Sequence, residues 1–241
     1  MPVGKENGGS VLSVYLLGCV DFESALVLQR RLQYEVSGNR SQAALILCEH
    51  PPLITVGRSG SRAHILCEPE ELRSRQWRIR WLNRGGGCLL HMPGQLAVYP
   101  ILPLDRLELG LEEYLARLEQ VALRVLDDFG IGAARQQCMG VWVNDRPLAA
   151  LGIAVRDWVS AYGMWFNVHV PLDQFRLVRW GGRQQPPMTS VEKERRGPLR
   201  PGLFRQRLIE HFEAVFPFAR TSHFAEHPAL HRTKQRRVLV S

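Results

Sequence analysis

The sequence lacks the two features that would direct a chain into a membrane or out of the cell. No run of about 18 apolar residues occurs, so no membrane-spanning helix is predicted. The first ten residues are polar and rich in glycine, without the apolar centre of a secretory signal peptide. We therefore expect a cytoplasmic protein that is not attached to a membrane.

Paired cysteines are also missing. The five cysteines are odd in number and show no C-x-x-C spacing, which argues against a disulfide framework or a zinc site and favours a reducing compartment. His223, His227 and His231 recur every four residues, but little else there predicts the helix that would align them. Neither a metal ion nor an organic cofactor is expected.

Lysine is scarce, although the chain is basic. Its 31 Lys and Arg residues give a formal charge of +8, yet only Lys5, Lys193 and Lys234 are lysines. Positive charge favours acidic partners, but part of it lies in residues 193–200 and 231–237, which are equally well explained as a solvated loop and tail. Nucleic-acid binding is not expected, because aromatic residues are not interleaved with the basic tracts and no recognition motif occurs.

A glycine-rich stretch, residues 83–95, organises the rest of the chain. It lies between two predicted strands, and three successive glycines would let the backbone approach a ligand closely. Arg84 offers a fork of donors to an anion or a carbonyl, and His91 can donate or accept near neutral pH. The alternative is a glycine-rich hairpin with a surface arginine.

Cys88, within that stretch, is the one local candidate for a nucleophile. The glycine N–H groups would favour its thiolate, and His91 is the only nearby base. Residues three apart in an extended chain point to opposite faces, so the pair would need a curved loop. The alternative is a small buried apolar residue.

The remaining pattern predicts a single α+β domain with a mixed sheet flanked by helices. Asp21 is a predicted N-cap, a helix is predicted from Leu111 to Phe129 with Gly130 closing it, and residues 177–200 are predicted to form a long loop. We assign residues 1–10 to a flexible N-terminus, 11–220 to the domain, and 221–241 to a basic tail.

Taken together, six segments resemble the lipoyl(octanoyl) transferase family, in order and over residues 43–191. The stretch from Glu49 to Arg58 resembles E-H-P-P-x-x-T-x-G-R, and the stretch from Arg84 to Gln95 resembles R-G-G-x-x-T-x-H-G-P-G-Q. The later matches are to G-V-W/Y-V, L-G, H-G-x-A-L-N-V and M-T-S-L, and they lie at residues 140–143, 151–152, 162–168 and 188–191.

The resemblance implies a fold shared with biotin protein ligases and lipoate ligases, with an acyl chain in a tunnel. It implies octanoyl-acyl carrier protein and lipoyl domains as partners, protein lipoylation as the process, and a monomer without cofactor. The substrate-binding residues that it implies are Arg84, Gly85, Gly86, Gly87, Cys88, Leu89, Leu90, His91, Ala150, Leu151, Gly152, Gly163, Met164 and Trp165.

The sequence departs from the family pattern at both catalytic positions. The family cysteine takes the acyl group as a thioester, and a lysine lowers the pKa of that thiol. Alignment from Phe175 places Gly181 at the cysteine, and alignment on Leu151 and Gly152 places Pro147 at the lysine. Standard catalytic residues are therefore not predicted, and Cys88 is the only substitute.

Three hypotheses follow. The first is a pseudoenzyme that binds an acyl group, an acyl carrier protein or a lipoyl domain without the covalent mechanism. The second is an active transferase that works through Cys88 or by direct attack of the acceptor lysine, with Arg84 and His91 stabilising the oxyanion. The third is a scaffold whose pocket is filled by Leu89, Leu90, Met92 and Trp165.

Overall fold

The computed structural model describes residues 10–135, 140–180 and 187–230, and this part of the chain forms two sheets flanked by α-helices. The strands of the larger sheet are β1 (Val11–Cys19), β2 (Gln42–Glu49), β6 (Gln95–Ile101), β7 (Ala134–Arg135), β8 (Gly140–Val143), β9 (Arg146–Arg156), β10 (Val159–Asn167) and β11 (Arg220–Phe224). The smaller sheet contains β3 (Leu53–Val56), β4 (Arg78–Trp81) and β5 (Cys88–His91). The α-helices are α1 (Phe22–Gly38), α2 (Pro69–Ser74), α3 (Leu111–Asp127), α4 (Val191–Arg195) and α5 (Pro201–Val215).

The larger sheet is mixed, as predicted. Its strand order is β11-β1-β2-β6-β10-β9-β8-β7, with β11, β1 and β2 parallel and the other pairs antiparallel. The smaller sheet has the order β4-β3-β5 and is also mixed. Since β5 is followed directly by β6, the glycine-rich stretch lies where the two sheets meet.

Helices cover both faces of the larger sheet. α3 and α5 pack on one face, against a core that includes Leu45 and Val98. α1 packs on the other face, where Ile46 and Tyr99 point. Alternate residues of the central strands therefore enter different cores, which explains why these strands are apolar throughout.

Several predicted elements are confirmed. Asp21 caps α1 by accepting a hydrogen bond from the backbone N–H of Ser24 at 3.2 Å. α3 begins at Leu111 as predicted, and Gly130 adopts the left-handed backbone (φ +70°) that lets the chain leave the helix.

Two predictions about irregular segments need correction. Within the predicted loop 177–200, α4 forms because the Ser190 side chain accepts from the backbone N–H of Lys193 and caps it. The first residues of the predicted basic tail form β11, which extends the sheet by pairing in parallel with β1. Both segments are too short and too polar to show a periodic pattern in the sequence.

Candidate active site

The glycine-rich stretch is hydrogen-bonded to residues 57–59, which directly follow β3. The carbonyl groups of Arg84, Gly86 and Gly87 accept hydrogen bonds of 3.0–3.1 Å from the consecutive backbone N–H groups of residues 57–59. A Cβ atom on Gly87 would lie 2.3 Å from the carbonyl oxygen of Trp180, so only glycine allows this approach. The loop is therefore an ordered wall of the site.

Arg84 is fully buried and is held by neutral groups. Its guanidinium donates to Thr55 Oγ1 at 2.7 Å and to the carbonyl of Gly85 at 2.9 Å, and it lies over the ring of Trp165 at 5.1 Å. Burial lowers the pKa of Arg84 to about 10. Its Nε has no hydrogen-bond partner among the described residues, so one donor of a buried cation remains available.

His91 lies in the middle of a buried chain of hydrogen bonds. Because Gln95 Nε2 is engaged elsewhere, Gln95 Oε1 accepts from His91 Nδ1 at 2.9 Å; in the neutral ring His91 Nε2 then accepts from Thr55 Oγ1 at 2.8 Å, while Thr55 Oγ1 itself accepts from Arg84. Gln95 Nε2 donates in turn to Asn167 Oδ1 at 3.0 Å. Burial holds the pKa of His91 well below its usual value, so the imidazole is neutral and fixed in one tautomer.

A second buried chain runs from Trp165 to His50. Trp165 Nε1 donates to the Tyr99 hydroxyl at 3.1 Å, which donates to His50 Nε2 at 2.7 Å, and His50 Nδ1 donates to the carbonyl of Val20 at 2.7 Å. Burial lowers the pKa of His50 to about 4. The indole of Trp165 is thus fixed at both its face and its edge.

The low pKa of His50 predicts that acid destabilises the protein. Above pH 6.5 the imidazole is neutral in both states, whereas below it the unfolded chain binds a proton that the folded chain resists until about pH 4. The free energy of unfolding should therefore fall by about 3 kcal/mol across this window, with His91 adding to the loss. Urea titrations at a series of pH values measure it.

The matched control for this prediction is His50→Gln, whose amide can keep the bonds to Val20 and Tyr99 but does not titrate. Its stability should fall less steeply than that of the wild-type protein between pH 6.5 and pH 4. Identical pH dependence in the two proteins would mean that His50 is not buried in the neutral form.

Among the described residues, the cavity next to Trp165 and Gln95 is small. A cavity of about 10 Å³ lies among residues of β5, β9 and β10 and the segments that cover them. Its lining consists of Leu89, Leu90, Gln95, Pro147, Leu148, Ala149, Ala150, Trp165, Asn167, Phe175, Trp180 and Met188. A cavity of this size holds a single water molecule at most.

Pro147 lines this cavity but offers no ionisable group. Its neighbour Arg146 forms an ion pair with Glu194 at 2.9 Å and does not line the cavity. Lys193 is exposed on α4 and is the only lysine within the described ranges. Gly181, predicted at the family's cysteine position, lies outside the described residues.

Cys88 is buried on the face of the smaller sheet opposite His91. Its Sγ donates to the carbonyl of Ser61 at 3.4 Å, and burial raises the pKa of the thiol. Because Cys88 and His91 are three residues apart on the strand β5, their side chains point in opposite directions. The structure therefore gives Cys88 no base among the described residues and disfavours its thiolate.

The other predicted site residues divide between the two faces of β9 and β10. Cross-strand pairs join Gly163 to Gly152 and Trp165 to Ala150, on the face towards Arg84. Leu151 and Met164 point to the opposite face, into the core beneath α3 and α5. Sequence reasoning missed Thr55, Tyr99 and Trp180; only Thr55 carried a signal, since it is the threonine of a matched motif.

Comparison with known proteins identifies the class to which this fold and site belong. Lipoate-protein ligase A bound with ATP superposes with a TM-score of 0.75 at 13% identity, covering 93% of this chain and 92% of that one. The bi-partite lipoate protein ligase of Thermoplasma acidophilum, whose study includes its E2 lipoyl domain, gives a TM-score of 0.68 at 14% identity, covering 93% and 90%. These similarities show the fold.

The sequence-family model of the lipoyl protein ligase A/B catalytic domain matches residues 21–213 of this chain. An octanoyltransferase of Caldicellulosiruptor saccharolyticus is 37% identical over 185 residues, which are 76% of this chain and 79% of that relative. The chain belongs to the octanoyltransferase family of this catalytic-domain class, and so to the proteins of lipoylation. No helix in the described ranges is long and apolar enough to cross a membrane.

Proposed function

We propose that this chain is a non-catalytic octanoyltransferase homologue that binds a lipoyl domain or an acyl carrier protein in the cytoplasm. The observation that carries the proposal is the buried indole of Trp165, which fills the space beside Arg84 where the resemblance implies an acyl chain. The family pattern has alanine at this position. An eight-carbon chain cannot enter a cavity of about 10 Å³ unless the indole leaves it.

The chemistry around the cavity supports the same proposal. A cysteine nucleophile needs a nearby positive charge or a base to form its thiolate. Pro147 supplies neither, Arg146 is committed to Glu194, and Lys193 is exposed on α4. The neutral, buried His91 has both ring nitrogens engaged with Thr55 and Gln95. Among these residues, none therefore offers the cavity a proton acceptor that is not already hydrogen-bonded.

One observation favours the alternative, an octanoyl- or lipoyl-transferase that works by direct attack of the acceptor lysine. Arg84 is a buried cation with no carboxylate partner in the described residues, and its Nε lacks an acceptor. Such an arrangement is costly unless a ligand completes it, and the oxyanion of a thioester adduct would do so. This route requires the indole of Trp165 to move first.

The proposal predicts no acyl transfer when the purified protein is mixed with octanoyl-acyl carrier protein and an apo lipoyl domain. Intact mass spectrometry should show the lipoyl domain unmodified beyond the no-protein control, while native mass spectrometry should show a complex with one of the two partners. An octanoyltransferase that carries the family cysteine and lysine serves as the positive control.

Transfer above the no-protein control would overturn the non-catalytic proposal. A hydroxylamine-labile adduct that is lost in Cys88→Ala would then assign the nucleophile to Cys88. Transfer without an adduct would support direct attack. If neither transfer nor a complex is observed, partner binding is contradicted, and the hypothesis of a scaffold with a filled pocket is the one that remains.

A further inference from the structure

A second cavity, separate from the acyl-site cavity, lies between α1, β4 and the hairpin of β9 and β10. It has a volume of about 300 Å³, at the lower end of the range for small-molecule sites. It shares no lining residue with the cavity beside Trp165. Its lining consists of Leu26, Gln29, Arg30, Gln33, Arg80, Trp81, Leu82, Asn83, Ala154, Val155, Arg156, Ala161 and Tyr162.

All the charged residues that line this cavity are positive. Three arginines line it: Arg30 from α1, Arg80 from β4 and Arg156 from the end of β9. Arg80 pairs with Glu23 at 3.0 Å and Arg156 with Asp157 at 3.5 Å, but both pairs are solvent-exposed. Exposed ion pairs contribute little to stability. A ligand that carries more negative charge than a single carboxylate can therefore bind these guanidinium groups in place of Glu23 and Asp157.

The wall of the cavity also contains an unused donor. Gln29 is 2% exposed; its Oε1 accepts from the backbone N–H of Tyr162 at 3.0 Å, but its Nε2 has no partner among the described residues. A buried amide nitrogen without an acceptor is unfavourable. An oxygen of a ligand can remove that cost, whereas a cationic ligand cannot.

Tyr162 is held at the centre of this wall in an unfavourable conformation. Its backbone is left-handed (φ +56°), which is rare for a bulky residue and is typical of functional sites. Besides its bond to Gln29, its hydroxyl donates to Asn83 Oδ1 at 3.1 Å. Two hydrogen bonds thus maintain this conformation and keep the ring against the arginines.

We propose that this cavity binds a phosphate-bearing small molecule, with the phosphate on Arg30, Arg80 and Arg156 and the organic part against Trp81. Arginine forks match phosphate oxygens in geometry and charge. The indole of Trp81 is 59% exposed beside them and offers a flat apolar surface. The proposal concerns a different site from the acyl cavity and does not depend on the proposed function.

Calorimetric titration of the full chain at low salt tests the proposal, with inorganic pyrophosphate, AMP and 4′-phosphopantetheine as probes. At least one probe should bind, and Arg30→Gln and Arg156→Gln should each weaken it about tenfold, as expected for the loss of one charge-assisted contact. Arg207→Gln, on α5 at the other face of the sheet, is the matched control and should leave the affinity unchanged. All three substitutions are at exposed residues and should preserve the fold.

The variant Trp81→Ala distinguishes between the kinds of organic group that the phosphate ligand could carry. If the variant weakens AMP but not pyrophosphate, the ligand carries a planar group; if it weakens 4′-phosphopantetheine alone, the ligand carries a flexible chain. Either result supports the proposal. It is overturned if no probe binds at millimolar concentration, if Arg207→Gln weakens binding as much as the two cavity variants, or if Trp81→Ala changes no affinity.

Discussion

Trp165→Ala is expected to open the acyl site and to give the protein an affinity for octanoate that the wild type lacks. The removed indole lies between Arg84 and Tyr99, so the new space adjoins a guanidinium that can bind the carboxylate. Each buried CH₂ of the ligand contributes about 0.8 kcal/mol, and a chain of this length should therefore bind far more than tenfold better than it binds the wild type. Isothermal titration calorimetry with octanoate measures the gain.

The same substitution should lower the free energy of unfolding by about 3–5 kcal/mol, because it leaves a cavity in a close-packed region and removes the donor to Tyr99. Octanoate should restore part of that stability by binding only to the folded state. Trp158→Ala is the control, since this tryptophan is 54% exposed and should change neither property much. If Trp165→Ala loses stability without gaining octanoate binding, the indole does not occupy an acyl site.

The fold could be predicted from the sequence where the pattern was local. Apolar residues at helical spacing identified α3, and the alternation in residues 11–17 identified β1, because burial of one face leaves a periodic trace. β11 could not be found in this way. Arg220–Phe224 is a short polar edge strand, and only its pairing with β1 makes it a strand.

The site could be predicted only in part, for a similar reason. Arg84 and His91 lie in a distinctive loop, so the sequence predicts both; in the structure they contact Trp165 and Gln95, which line the cavity, but neither lines it directly. Tyr99 and Trp180 reach the site through the packing of strands and loops that are distant in sequence. A motif match does not separate the two faces of β9 and β10, so it also predicts Leu151 and Met164, which point into the other core.

Two buried hydrogen-bond chains organise the scaffold around Trp165. Arg84, Thr55, His91 and Gln95 form one directional chain, and Trp165, Tyr99 and His50 form another. Buried networks rigidify their surroundings most when every member is satisfied; the first chain leaves Arg84 Nε without an acceptor among the described residues. The indole of Trp165 satisfies the second chain and covers the cation of the first, so the residue that fills the pocket also stabilises its walls.

If Trp165, Pro147 and Gly181 alone keep this chain from the covalent mechanism, as the proposed function holds, the triple variant Trp165→Ala, Pro147→Lys, Gly181→Cys should form an acyl-enzyme intermediate. Trp165→Ala provides the volume, and Pro147→Lys places an ammonium in the lining of the cavity, where it lowers the pKa of a nearby thiol. The substitution keeps the backbone hydrogen bond at this position, because the carbonyl of residue 147 accepts from the N–H of Thr189 at 2.9 Å and lysine has the same carbonyl.

Incubation with octanoyl-acyl carrier protein should then give a hydroxylamine-labile octanoyl adduct by intact mass spectrometry. The double variant without Gly181→Cys should give none, and the double variant without Pro147→Lys should form it more slowly and with a higher apparent pKa. An adduct in all three proteins would point to another thiol, Cys88 first. A triple variant that binds octanoate but forms no adduct would mean that residue 181 does not reach the cavity. This chain would then differ from the family not only at positions 147 and 181 but also in the path of its backbone near residue 181.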